Sequence, residues 1–293
     1  MHKAGFVNIV GNPNVGKSTL MNQLVGEKLS IATFKAQTTR HRIMGIVNTE
    51  DSQIVFSDTP GVLKPNYKMQ EMMLHFSESA LADADILLYV TDVIEDPEKN
   101  MDFLEKVAKM SIPVILLINK IDESDQKKLG DLVTKWHGLL PNAEILPISA
   151  KNKFGTDILL KRVHELLPES PAFFDKDQLT DKPAKFFVSE IIREKILRYY
   201  DKEIPYSVEV VVESFKEDDR QIHINAVIYV ERNSQKGIII GHQGMALKKV
   251  STEARKSLER FFDKKIFLET FVKVDKDWRN SQKELKHFGY NPE

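Results

Sequence analysis

Gly11, Gly16, Lys17 and Ser18 stand in the spacing G-x-x-x-x-G-K-S, within the stretch Gly11-Asn12-Pro13-Asn14-Val15-Gly16-Lys17-Ser18-Thr19. Glycines so placed let consecutive backbone N–H groups close round a phosphate, and the helix that follows adds its partial positive charge. In such a cradle, formed by Asn12 to Thr19, Lys17 reaches the β- and γ-phosphates and the Ser18 hydroxyl takes Mg²⁺. A turn that merely happened to contain Gly-Lys-Ser would not require its neighbours to be a strand and a helix. Here a short apolar run ends at Gly11, and apolar residues resume as Leu20, Met21 and Leu24.

Three more short motifs follow apolar runs. Asp58-Thr59-Pro60-Gly61 comes after Ile54-Val55-Phe56, which puts a carboxylate at the carboxyl end of a strand, where open α/β sheets bind ligands. Asp58 is expected to support Mg²⁺ directly or through water, and Gly61 to bring a backbone N–H to the γ-phosphate. Asn119-Lys120-Ile121-Asp122 closes the run Val114 to Ile118. Asp122 there accepts from guanine N1–H and its exocyclic amine, whereas adenine would leave the carboxylate unpaired, so the pocket should prefer GTP to ATP. Ser149-Ala150-Lys151 is expected to offer a backbone N–H to guanine O6 and to steady Asp122. Each of these three motifs alone is weak; with the cradle they make four in this order, each at a strand end, and point to one guanine nucleotide site.

The elements that must position these groups alternate. Strands are expected near 5–11, 43–48, 53–57, 85–91, 113–119 and 144–148, with helices at 17–25, 68–82, 98–109, 125–139 and 156–167, an α/β domain with a mostly parallel, doubly wound sheet. Residues 29–40 read as a long loop beside the phosphate cradle. Prolines 168, 171 and 183 with interspersed charges mark 168–183 as a linker. Beyond it the expected order is helix 184–200, strand 206–213, strand 220–231, a short helix ending in Ile238-Ile239-Ile240, helix 244–262 and strand 265–274, a smaller α+β domain over 184–293. At 293 residues and 42% hydrophobic content the chain has ample core for both. No apolar run nears the roughly 18 residues of a membrane span, and the chain runs from Met-His-Lys straight into the first strand, with no room for a signal peptide. The absence of cysteine excludes disulfides and Cys-ligated zinc and fits a reducing compartment. The formal net charge of -1 advertises no particular partner.

Residues 5–167 resemble a small GTPase domain of the translation-factor-related class, over the four motifs quoted above. That resemblance implies a threonine in the first switch loop completing the Mg²⁺ shell: Thr39 is favoured, with Thr38 close behind. Ras-like GTPases carry a glutamine after the D-x-x-G motif to orient the attacking water, and here Val62 takes its place, implying slow unaided hydrolysis. Asn14 matches the position where similar GTPases hold K⁺ beside the phosphates, implying K⁺-stimulated turnover. Lys17, Thr39, Gly61 and Asn14 are thus the expected catalytic groups. Arg40 and Arg42 could stabilise transition-state charge, but the expectation is that they lie on a solvated loop.

In the second domain Gly241-His242-Gln243-Gly244 resembles the G-x-x-G loop of a type II KH domain, where a nucleic-acid backbone approaches closely. It lies between Ile238-Ile239-Ile240 and Lys248-Lys249, and from Asn233 onward 13 Lys and Arg face 8 Asp and Glu. Ile238 and Ile239 are the expected apolar floor, and Lys248, Lys249, Arg255 and Lys256 the expected phosphate contacts. A GTPase domain followed by a type II KH domain resembles the bacterial Era family. Membership implies binding of the single-stranded 3′ region of small-subunit ribosomal RNA, assistance in maturation of the small ribosomal subunit, and a cytoplasmic setting in which peripheral membrane contact stays open. The rivals are a metabolic P-loop kinase or ATPase, and a signalling GTPase whose second domain binds protein.

Overall fold

The structure, a computed structural model, describes residues 2 to 291; residues 1, 292 and 293 of the expected domains lie outside the described residues. Its residues fall into two compact units, the first of 2–66 and 70–181 and the second of 182–291 together with Tyr67–Met69.

The first unit is a six-stranded sheet in the order β2-β3-β1-β4-β5-β6. Its strands are β1 (Lys3–Val10), β2 (Ile43–Asn48), β3 (Ser52–Asp58), β4 (Ile86–Asp92), β5 (Val114–Asn119) and β6 (Glu144–Pro147). β2 is antiparallel to β3, and every other pairing is parallel. Helices α1 (Lys17–Val25), α2 (Lys68–Ala82), α3 (Met101–Ala108), α4 (Gln126–Leu139) and α5 (Thr156–Leu166) connect them. β3 and β4 are buried at every position, as strands covered on both faces are. β1 pairs with β3 on one side and β4 on the other, so the winding reverses about it. A crevice opens at such a reversal, outside the carboxyl ends of the strands, and there the chain places all four motifs.

The proline-marked stretch does not hang free: over 168–181 it packs on the first unit. Ala4 N–H donates to Pro168 O (3.2 Å) and Ile46 N–H to Leu179 O (2.8 Å). The buried Gln53 amide clamps it: Nε2 donates to Phe174 O at 2.8 Å, and Oε1 accepts from the N–H groups of Phe173 (2.7 Å) and Phe174 (3.0 Å).

The second unit orders as α6 (Ala184–Tyr199), α7 (Ile204–Ser207), β7 (Glu209–Glu217), β8 (Gln221–Val230), α8 (Asn233–Ile240), α9 (Met245–Phe262), β9 (Lys265–Val274) and α10 (Gln282–His287). β7 pairs antiparallel and β9 parallel with β8. Ile192, Ile196, Ile224, Ile228 and Leu258 lie in its core. The strand expected from 206 begins at Glu209, because Pro205 opens a helical turn, where its missing N–H costs nothing. α10 was not expected; six residues are too few for a helical period to show. Ser281 caps it through Glu284 N–H (3.3 Å), and Leu285 is buried. Among the described residues no helix is long and apolar enough to cross a membrane.

Replacing Gln53 by Ala removes the clamp and strips the backbone of 173–174 of its partners. The first unit should lose about 2–3 kcal/mol of stability in denaturant titration, and limited proteolysis should open the chain within 170–182. An unchanged midpoint and an unchanged digestion pattern would refute the clamp.

Candidate nucleotide and RNA sites

A cleft of about 500 Å³ opens at the carboxyl ends of the strands, lined among others by Asn14, Gly16, Lys17, Thr39, Gly61, Asp122 and Lys151. That volume suits a nucleotide. Hydrogen bonds between loops hold its walls together. Asn119 Nδ2 donates to Val15 O (2.8 Å), and its Oδ1 accepts from Ala150 N–H (2.9 Å). Lys120 Nζ donates to Asn14 O (2.7 Å) and pairs with Asp92 (2.6 Å). The Ser149 hydroxyl donates to Asp122 Oδ1 (2.6 Å); this bond holds the Asp122 carboxyl below the usual carboxylate range, with Lys151 adding to the effect. Asp122 therefore presents an ionised acceptor to the cleft. Ala150 itself is buried and its N–H already serves Asn119, so Ser149 and Lys151 are the residues of that motif that line the cleft.

On the phosphate side Lys17 Nζ donates to Gly11 O (3.0 Å) and Asn12 O (2.8 Å). Burial lowers its pKa to about 8, with Asp58 and Glu95 pulling the other way. Asp58 is fully buried and neither carboxylate oxygen has a hydrogen-bond partner. Burial raises its pKa; the charge of Lys17 and the nearby hydroxyls of Ser18, Ser30 and Thr39 oppose the rise. Ser18 Oγ and Thr39 Oγ1 are 2.8 Å apart, whereas the Thr38 hydroxyl donates to Lys35 O (2.6 Å) and meets Thr33 (2.7 Å). Among the described residues no three His, Cys, Asp or Glu side chains form a metal cage. An orphaned buried carboxylate beside two hydroxyls nevertheless fits Mg²⁺, which takes few protein ligands and draws the rest from phosphate and water.

Gly61 is required for close approach: a Cβ there would lie 2.6 Å from Pro13 Cα. Val62 N–H donates to Gly11 O (3.1 Å), and the Val62 side chain belongs to the core with Val10, Tyr89 and Phe103. Asn12 and Val15 are buried behind the cradle, where the Asn12 side-chain Oδ1 accepts from Asn100 Nδ2 (2.6 Å) and the Val15 carbonyl from Asn119 Nδ2 (2.8 Å). Asn14 is exposed and left-handed, at φ 66°. Arg40 and Arg42 are not on a solvated loop: Arg40 is fully buried, and Arg42 forks onto Asp83 (2.7 and 3.0 Å) and Ser57 (2.5 Å), so neither lines the cleft. Sequence reasoning missed Phe34, Ile94 and Asp92. Phe34 and Ile94 line the cleft yet are exposed, and nothing in their spacing marks them. Asp92 had a readable signal, an acid at the end of a buried strand.

In the second unit Gly241 (φ 68°), Gln243 (φ 49°) and Gly244 (φ 75°) build a left-handed turn between α8 and α9. His242, Gln243, Lys248 and Lys249 are exposed around it, and Lys249 Nζ sits 4.4 Å from the Tyr199 ring centroid. Ile238 is 48% exposed but Ile239 is fully buried, where Tyr200 OH donates to its carbonyl (2.6 Å). Only Ile238 of the expected pair can form a floor. Arg255 and Lys256 are engaged with Glu259 (2.6 Å) and Glu253 (2.9 Å), whereas Lys248 and Lys249 stand exposed near the start of α9.

Comparison with known proteins agrees with both units. A family described as 50S ribosome-binding GTPase matches residues 6–120, and the KH domain family matches residues 203–279. GTPase Era of Clostridium kluyveri is 44% identical over 99% of this chain and 100% of its own length. GTPase Era of Geobacter sp. strain M21 is 46% identical, covering 98% of each chain. Among solved structures, Era in complex with MgGDPNP and nucleotides 1506–1542 of 16S ribosomal RNA superposes with a TM-score of 0.95 at 37% identity, over all of both chains. A tyrosine-to-alanine variant of Aquifex aeolicus Era bound to GDP·AlF4⁻ gives 0.94 at 37% identity, over 99% of this chain and 100% of its own. A guanine-selective cleft joined to a G-x-x-G turn along one full-length match admits a single assignment: the chain belongs to the Era family of GTPases.

Proposed function

We propose that this GTPase is a nucleotide-operated RNA-binding switch that grips the single-stranded 3′ region of small-subunit ribosomal RNA and assists maturation of the small ribosomal subunit in the cytoplasm. The observation that carries the reading is the full-length similarity to an Era solved with both MgGDPNP and 16S ribosomal RNA. Asp122 reads guanine; Asn119 and Lys120 brace the loops that hold it. Lys17 and the backbone from Asn12 to Thr19 receive the phosphates. Ser18, Thr39 and Asp58 would hold Mg²⁺, which neutralises phosphate charge; the 2.8 Å approach of Thr39 to Ser18 supports Thr39 over Thr38. Asn14, exposed at the loop tip, is the proposed K⁺ contact. The Gly61 N–H would sense the γ-phosphate, while Val62 supplies no group to orient water. RNA capture falls to Gly241 through Gly244 with Ile238, His242, Gln243, Lys248 and Lys249. Flotation with anionic vesicles tests peripheral membrane contact separately.

Three measurements check this. Asp122→Asn should weaken GTP binding by roughly 100-fold or more while gaining xanthosine triphosphate; equal affinity of the unmodified protein for ATP and GTP would restore the kinase reading. In filter binding with a 3′-terminal 16S fragment, Gly244→Asp should abolish capture, and removing Lys248 and Lys249 together should lower the log–log salt slope by about 1 to 2. Binding indifferent to both changes would favour a protein partner. Exchange of K⁺ for Na⁺ should slow GTP turnover, an effect lost in Asn14→Ala; equal rates in the two salts would sink the cation reading.

A further inference from the structure

Asn100 is outside every nucleotide motif, yet its side chain touches one of them and the residue that follows another. It precedes α3 in a left-handed conformation (φ 58°, ψ 47°), which asparagine tolerates better than most residues. Its Nδ2 carries two hydrogens. One is donated to the side-chain Oδ1 of Asn12 (2.6 Å), in the phosphate cradle, and the other to the carbonyl of Val62 (3.1 Å), in the segment after D-x-x-G. Asn12 is itself buried, and its amide also faces the Glu95 carboxylate, which accepts from Thr91 Oγ1 (2.9 Å).

The two bonds complete a frame around residue 62. Val62 N–H is fixed to Gly11 O (3.1 Å), Val62 O to Asn100, and the preceding Gly61 abuts Pro13 so tightly that a Cβ would fall 2.6 Å from its Cα. With both polar groups of its backbone taken, residue 62 can move only with the cradle and the head of α3. This is the place where hydrolysing GTPases locate the attacking water, and the valine side chain is turned into the core. The geometry of that place is therefore set by backbone, which the Asn100 amide holds together with Gly11 and Pro13.

We propose that Asn100 is a positioning residue for GTP hydrolysis: it locks Gly61–Val62 to the cradle, so that the Gly61 N–H and the water path hold their register without a glutamine. The proposal rests on the GTP-hydrolysing reading of the cleft, which the turnover of the unmodified protein checks in the same assay. A displaced reactive segment costs on the order of 10²-fold in rate. Removal of a contact that matters only as the phosphate transfers lowers kcat without raising the nucleotide dissociation constant.

The test uses the full-length protein with two substitutions. Asn100→Asp keeps shape and backbone preference but removes both donors; Asn100→Gly keeps the left-handed backbone with no side chain at all, and serves where the aspartate variant fails to fold. Single-turnover GTP hydrolysis per bound nucleotide should fall about 10- to 100-fold in each, with GTP and GDP affinities by fluorescent-nucleotide titration within about twofold. Rates within twofold of the unmodified protein would overturn the proposal. So would a loss of rate matched by an equal loss of nucleotide affinity, which would make Asn100 a purely structural tie.

Discussion

One buried amide makes the nucleotide site a site. Asn119, 2% exposed at the end of β5, donates to the cradle at Val15 and accepts from Ala150 beyond β6. Three loops that are far apart in sequence thereby share a side chain that offers only one acceptor and one NH₂ group. Both bonds lie where water cannot substitute, so loss of the amide would leave two buried backbone groups unpaired. Lys120 repeats the device one residue on, tying Asn14 O to Asp92. The guanine end and the phosphate end of the cleft are held as one body because N-K-x-D is bolted to the loop at Gly11 to Ser18.

Against that rigid frame, the charges at the phosphate end look unfavourable. Lys17 and Asp58 are both buried, and the desolvation that lowers one pKa and raises the other works against folding. Their mutual attraction offsets only part of it. A core that needed nothing from these positions would replace them with apolar residues at no loss of stability. Both would be better satisfied by groups of opposite charge from outside the chain. The strain is local, and the sheet beneath tolerates it because β3 and β4 are packed on both faces.

Much of this was legible in the sequence, for a definable reason. Strand ends in an open α/β sheet are marked by where apolar runs stop, so each motif could be placed at the crevice before any coordinate was known. The order of elements in the second unit was legible through its alternating periods. What could not be read is whatever depends on side-chain direction. Ile238 and Ile239 are adjacent and chemically alike, yet one faces solvent and the other the core. Arg40 reads as a charge on a polar loop and is fully buried. The prolines at 168, 171 and 183 signal a linker, but Gln53, buried inside a strand 120 residues earlier, binds that stretch to the first unit. Long-range capture by one side chain leaves no periodic trace.

The valine after D-x-x-G shows why a substitution cannot be read as a missing group alone. Val62 is 4% exposed and shares a cluster with Val10, Leu87, Phe103 and Leu104. Burying such a side chain is worth about 1.5–3 kcal/mol, and a glutamine there would forfeit that gain or bury an amide without a partner. Restoring the Ras residue would therefore not restore the Ras geometry, since the backbone at 62 is already directed by Gly11 and by Asn100. The way this loop and the core are joined turns the side chain at 62 away from the cleft. A group that orients water would have to reach the cleft from its open side, since the side chain at 62 is committed to the core.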